Sequence, residues 1–175
     1  MRTSLKEKIN KIKLLILDVD GVMTNGDIIL DSQGMETKIF NVQDGYGIVL
    51  FQRAGYKTAI LSARATEAVE ARAKDLKISK VCQDAYPKIK AYKKLIRELK
   101  LKDEQVCFIG DDIPDIEVLR VVGVSVAVPN AVNEVKQIVD HVTKREGGQG
   151  AVREVVELIL KTQGKWSGIL KGCGA

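Results

Sequence analysis

The chain has 175 residues, 45% apolar and 29% charged, which suits one domain with a real core and excludes a disordered chain. Its formal charge of +5 is spread over amphipathic segments, and aromatics are only 5%, so there is no basic patch interleaved with stacking rings. That argues against a nucleic-acid partner and suits small anionic substrates. Cys82, Cys107 and Cys173 lack C-x-x-C spacing, and no apolar run is long enough for a membrane span, so neither a disulfide scaffold nor a membrane protein is expected. A reducing, cytoplasmic setting is the expectation.

The stretch 3–10 is charged and helix-like. Residues 14–17 are four consecutive apolar residues with a glycine soon after, which predicts a strand buried on both faces. It runs into Asp18 and Asp20. The segments 26–30 and 37–40, separated by Asp31-Ser32-Gln33-Gly34, predict a β-hairpin over 27–40. A helix is expected over 45–54, stopped by Gly55, then a core strand over 57–61. Helix 66–76, a short strand near Val81, helix 88–99, strand 105–109 and helix 115–121 follow. Next come strand 124–128, a short helix near Val132, strand 138–142 and helix 151–161. This alternation predicts an α/β fold, a doubly wound parallel sheet with right-handed crossovers, in a single domain over 1–175. The Gly-rich segment 164–175 reads as a mobile tail, its Trp166 either an anchor or a plug for a neighbour's site. His141, in a strand-like run, reads as a core or edge residue. Gly147-Gly148-Gln149-Gly150 lacks the ending of a P-loop and reads as a turn that approaches the site.

Ligands of such folds sit beyond the carboxyl ends of the strands. The first strand ends at Asp18 and Asp20, the 57–61 strand at Ser62, then Ala63 and Arg64. Lys88 opens the helix after the third core strand, and the next strand ends in Gly110-Asp111-Asp112-Ile113-Pro114-Asp115. A lone D-x-D is equally compatible with two solvated aspartates. Acids, a hydroxyl, a lysine and an arginine on one edge are instead the equipment for binding a divalent metal and transferring a phosphoryl group.

These residues resemble the haloacid dehalogenase superfamily of phosphotransferases. Residues 18–24 resemble its first motif, Ser62 the second, Lys88 the third and 110–115 the fourth. The resemblance implies a Rossmann-like fold with Asp18 as the nucleophile that becomes an aspartyl-phosphate. Asp20 would protonate the leaving oxygen and later activate water. Mg²⁺ would be held by Asp18, the Asp20 main-chain carbonyl and Asp111, with Asp112 orienting its water shell. Ser62 and Lys88 would hold the phosphoryl oxygens, and Asp115 would cap the following helix.

Only 41 residues, 21 to 61, separate Asp20 from Ser62, and the gap from Ser62 to Lys88 is shorter still, so neither holds a cap domain. A capless site needs another way to exclude water, and a neighbouring subunit is expected to serve as lid. The hairpin is either the assembly device or folded against its own sheet. The capless layout, residues 41–48 and residues 147–154 are similar to the branch that hydrolyses 3-deoxy-D-manno-octulosonate 8-phosphate, an eight-carbon sugar acid of lipopolysaccharide synthesis. That resemblance implies a homotetramer, with Asp20, Asn41, Val42, Gln43, Asp44, Gly45, Arg64, Arg72 and Lys88 contacting substrate. By spacing alone, Arg72 is equally a solvated helix residue. Asn25 and Val49 depart from the branch's Asp and Arg, which keeps a nine-carbon sialic-type sugar 9-phosphate as an alternative substrate. The rival from another class is a phospho-receiver module, which places its acceptor aspartate after the third strand. A non-catalytic relative that only stabilises a partner is a further alternative, against which the complete acids argue.

Overall fold

A computed structural model describes residues 4–172. Among these residues the main sheet has six strands, all parallel, in the order β5-β4-β1-β6-β7-β8. They are β1 Leu14–Leu17, β4 Lys57–Leu61, β5 Lys80–Cys82, β6 Val106–Gly110, β7 Val124–Ala127 and β8 His141–Val142. The central strand β1 is buried along its whole length, as its unbroken apolar run requires of a strand covered on both faces. Each of its side chains contributes about 1.5–3 kcal/mol by leaving water. Cys107 of β6 is one of the buried apolar residues, and Cys82 is half-buried; Cys173 lies outside the described residues.

The helices are α1 Leu5–Ile9, α2 Val42–Arg53, α3 Glu67–Asp75, α4 Lys88–Leu99, α5 Ile116–Leu119, α6 Asn133–Lys136, α7 Ala151–Thr162 and α8 Trp166–Gly172. α2 packs along α7, α7 meets α1 and α8, and α4 packs on α5. No helix among the described residues is long and apolar enough to cross a membrane.

Most predicted elements stand where the pattern puts them, and several differ. α2 begins at Val42 rather than 45, because Asn41 accepts hydrogen bonds from the amides of Gln43 and Asp44 and starts the helix early. The predicted helix 115–121 is a 3₁₀ turn, Ile113–Asp115, followed by the short α5. The tail holds α8, seated on α7 with the Trp166 ring 5.5 Å from the Arg153 guanidinium and 5.2 Å from the Lys161 ammonium.

The hairpin is shorter than its sequence signal, β2 Ile29–Leu30 against β3 Glu36–Thr37, and forms its own antiparallel two-stranded sheet. It projects: Ile28, Leu30 and Ile39 are 56%, 60% and 66% exposed. No cap domain interrupts the fold between β1 and β4 or between β4 and α4.

Candidate active site

β1, β4 and β6 are neighbours in the sheet, so their carboxyl ends deliver Asp18, Ser62 and Asp111 to one place. These residues, with Asp20, Arg64 and Lys88, line a cavity of about 240 Å³.

The loop after β1 is tightly wound. The Val19 carbonyl accepts from the amides of Val22, Met23 and Thr24, and Thr24 Oγ1 accepts from Gly26. Gly21 has φ +85°, and a Cβ there would lie 2.0 Å from Asp111 Oδ2. Only glycine allows both the backbone angle and the close approach of that acid.

Lys88 opens α4, whose first turn holds no acidic residue. A cation at a helix N-terminus opposes the helix dipole. Two carboxylates offset that cost: Lys88 Nζ is 2.8 Å from Asp18 Oδ1 and 2.6 Å from Asp115 Oδ1, with all three side chains buried. Burial alone would lower the Lys88 ammonium, but the Asp18 and Asp115 charges hold it above the usual lysine range.

The Asp115 side chain makes no capping hydrogen bond to α5, contrary to the expectation from sequence, because both its oxygens are engaged elsewhere. Its Oδ1 takes the lysine, and its Oδ2 accepts from the amides of Asp111 and Asp112, 3.0 and 3.3 Å away. Gly110 makes room for it, since a Cβ there would lie 2.7 Å from the Asp115 carboxyl. Asp112, exposed on the lining of the cavity, caps the 3₁₀ turn through the Ile113 amide.

Asp18, Asp111 and Asp115 each offer an oxygen within 4.8 Å of the others. Burial, then the Asp115 charge, push Asp18 up to about 6 despite Lys88. Burial, then the charges of Asp18 and Asp115, push Asp111 up to about 8. Both oxygens of Asp115 are spent on Lys88 and the amides, whereas Asp111 Oδ1 is buried without a hydrogen-bond partner. Three crowded carboxylates, one ammonium and an orphaned buried oxygen fit a hard divalent cation bound by Asp18 and Asp111.

The Ser62 hydroxyl is buried on the cavity wall and accepts from the Arg64 amide at 3.2 Å. Arg64 reaches the mouth, where its Nη2 is 2.7 Å from Glu36 Oε2. The residues read as substrate contacts on α2 and α3 do not line this cavity. Asn41 is an N-cap and Val42 is exposed. Gln43 accepts from Arg145 at 2.9 Å. The buried Asp44 carboxylate accepts from the amides of Gly150 and Arg153, so it caps α7. Gly45 lets Arg72 approach, since a Cβ would lie 2.2 Å from Arg72 Nη2. Arg72 pairs with Asp75 at 2.7 Å and stacks 5.8 Å from the Phe40 ring centre. Asn25, one of the two departures from the branch, closes a local turn with Asp27, and Val49, the other, is half-buried against the core.

Three residues that support the site from outside the cavity lie outside the sequence motifs. Lys38 and Glu36, at the base of the hairpin, reach Asp20 and Arg64. Asn130 holds the Asp20–Gly21 loop from behind, donating to the Gly21 carbonyl and accepting from the Gly147 amide. It follows the end of β7, so extending the strand-end rule by one strand would have reached it. The Gly147–Gly150 turn does approach the site: Gly148 donates to the Val22 carbonyl, and a Cβ on Gly147 would lie 1.7 Å from the Gly21 oxygen. His141, on the edge strand β8, is 4.0 Å from Glu154 and away from the cavity.

The family model for haloacid dehalogenase-like hydrolases matches residues 80–155. The 3-deoxy-D-manno-octulosonate 8-phosphate phosphatase KdsC of Yersinia pestis is 45% identical over 157 residues, covering 90% of this chain and 84% of the relative. Among solved structures, the Moraxella catarrhalis 3-deoxy-D-manno-octulosonate 8-phosphate phosphatase, in complex with magnesium, phosphate and KDO, is 39% identical with a TM-score of 0.93, covering 95% and 96% of the two chains. The cobalt-bound Haemophilus influenzae deoxy-D-mannose-octulosonate 8-phosphate phosphatase is also 39% identical, with a TM-score of 0.89 and coverage of 91% and 94%. The acids at the end of β1, and this kinship, set aside the receiver-module reading. The chain belongs to the haloacid dehalogenase-like hydrolases, in the family of the 3-deoxy-D-manno-octulosonate 8-phosphate phosphatases.

Proposed function

We propose that the protein hydrolyses 3-deoxy-D-manno-octulosonate 8-phosphate to the free sugar acid and phosphate, with Mg²⁺, as a step of lipopolysaccharide precursor synthesis in the cytoplasm. The observation that carries this reading is the buried Asp18–Lys88–Asp115 ion-pair triad beside the orphaned oxygen of Asp111, in a chain of that family. Asp18, Asp111 and the Asp20 main-chain carbonyl would hold the metal, which supplies positive charge against the acids and the phosphoryl oxygens. An Asp18 carboxylate oxygen attacks phosphorus while the ester P–O bond breaks, and Asp20 gives its proton to the departing sugar oxygen. Water then attacks the phosphorus of the aspartyl-phosphate, Asp20 takes a proton from it, and the bond to Asp18 breaks to release orthophosphate. Lys88 and Ser62 bind the phosphoryl oxygens throughout, and Arg64 at the mouth suits the substrate carboxylate.

The decisive experiment is a screen of phosphate release from sugar-acid phosphates with Mg²⁺, in wild type and Asp18→Asn. The eight-carbon 8-phosphate should be the best substrate and the variant inactive but folded. Preference for a nine-carbon 9-phosphate would move the specificity to the alternative; an active variant would remove the aspartyl-phosphate. The exposed apolar hairpin supports a homo-oligomer that shields the capless site, and the resemblance to the branch makes it a tetramer. Sedimentation at micromolar concentration checks this, and a monomer would remove the borrowed lid.

A further inference from the structure

Asp20, the proton carrier in the phosphatase reading, is gripped from outside the cavity. Its Oδ1 pairs with Nζ of Lys38, just past β3 at the base of the hairpin. Lys38 Nζ also donates to Glu36 Oε1 at 2.7 Å, and the other oxygen of Glu36 takes Arg64 Nη2 at 2.7 Å. Four charged side chains thus form a chain, Asp20–Lys38–Glu36–Arg64, from the proton carrier to the mouth.

The Lys38 side chain is 1% exposed, although its neighbour Ile39 is mostly in solvent. A buried ammonium is costly, and so is freezing a long side chain with many rotamers. Two carboxylates at one nitrogen offset those costs and fix both partners. Asp20 sits on a loop with its side chain 24% exposed, so its carboxylate needs such a tether to keep one orientation. Lys38 does not line the cavity, so it acts on the reaction through its partners, directly on Asp20 and by way of Glu36 on Arg64.

We infer that Lys38 is a positioning residue: it holds the Asp20 carboxylate in the orientation that serves the leaving oxygen, and Glu36 anchors Lys38 while tying it to Arg64. The hairpin base is therefore part of the site of its own subunit, whatever its tip contributes to assembly. The inference rests on the phosphatase reading.

The test uses the leaving group. A sugar alkoxide needs a proton as its ester bond breaks, whereas p-nitrophenolate leaves without one. For both leaving groups kcat/KM reports only the steps up to that bond breaking. Lys38→Met should lower kcat/KM by about 10- to 100-fold, part of the usual range for general-acid catalysis, both for 3-deoxy-D-manno-octulosonate 8-phosphate and for glycerol 3-phosphate, an alkyl phosphate with no carboxylate for Arg64, and for p-nitrophenyl phosphate by no more than about threefold. Glu36→Gln should shift the ratio in the same direction by less, and it decides the matter by that ratio if Lys38→Met does not fold. Equal losses on alkyl and aryl phosphates, no loss on any of them, or a loss confined to the sugar-acid phosphate overturn the inference. A wild type that cleaves p-nitrophenyl phosphate but no alkyl phosphate overturns the phosphatase reading beneath it, an outcome distinct from the first.

Discussion

Asp115 Oδ1 lies 2.6 Å from Lys88 Nζ, and neither side chain is more than 3% exposed. The pair fixes the lysine that faces Asp18, and through Asp115 Oδ2 it also fixes the loop that carries Asp111. Asp115→Ala would leave one cation under-compensated and two amides without an acceptor. It should cost about 3–5 kcal/mol of stability, the usual scale for breaking a buried ion pair from one side. Urea unfolding measures this, and a loss under about 1 kcal/mol would show that the pair is not a structural joint.

The acid cluster makes stability depend on pH and metal together. Asp18 and Asp111 start from an unfolded value of 3.8 and are raised to about 6 and about 8 in the fold. Their contribution is therefore fully present below pH 3.8 and is lost as pH rises through those two values. The metal-free protein should lose stability over that window. Mg²⁺ binds the ionised acids, so it should raise the melting temperature more at about pH 8 than at about pH 5. An equal shift at both values would separate the acids from metal binding.

Chelation with EDTA should abolish phosphate release, and Mg²⁺ added in excess should restore it. Full activity in EDTA would take the metal out of the chemistry.

Asp44 caps α7 through the Gly150 and Arg153 amides at 3.1 and 2.8 Å. Asp44→Ala should cost about 2 kcal/mol, as expected for a lost cap with buried donors, and leave KM for the sugar phosphate little changed. A raised KM with unchanged stability would instead assign Asp44 to the substrate.

Gly147 stands where a Cβ would meet the Gly21 oxygen at 1.7 Å. That neighbour is backbone in the loop behind Asp20 and has no room to give. Gly147→Ala should cost about 1–3 kcal/mol and reduce turnover by displacing the loop. Wild-type activity and melting would show that the turn is free to move away.

The strand-end acids, Ser62 and Lys88 were legible because a parallel sheet gathers its carboxyl ends whatever the loops do, and each lies next to a strong periodic signal. β4 and α4 match their predicted bounds for the same reason. Helix starts were less legible where a side chain chose them, as Asn41 does for α2. The chain by itself determined the alternating α/β order, the buried central strand, the absence of a cap between the motifs and the metal-fitting acids. Only the tertiary structure decided how charges pair across long separations: Asp115 with Lys88, Lys38 with Asp20, Asp44 with the start of α7. Periodicity reports which face of an element is buried, whereas the partner of a buried charge depends on packing between elements far apart in sequence.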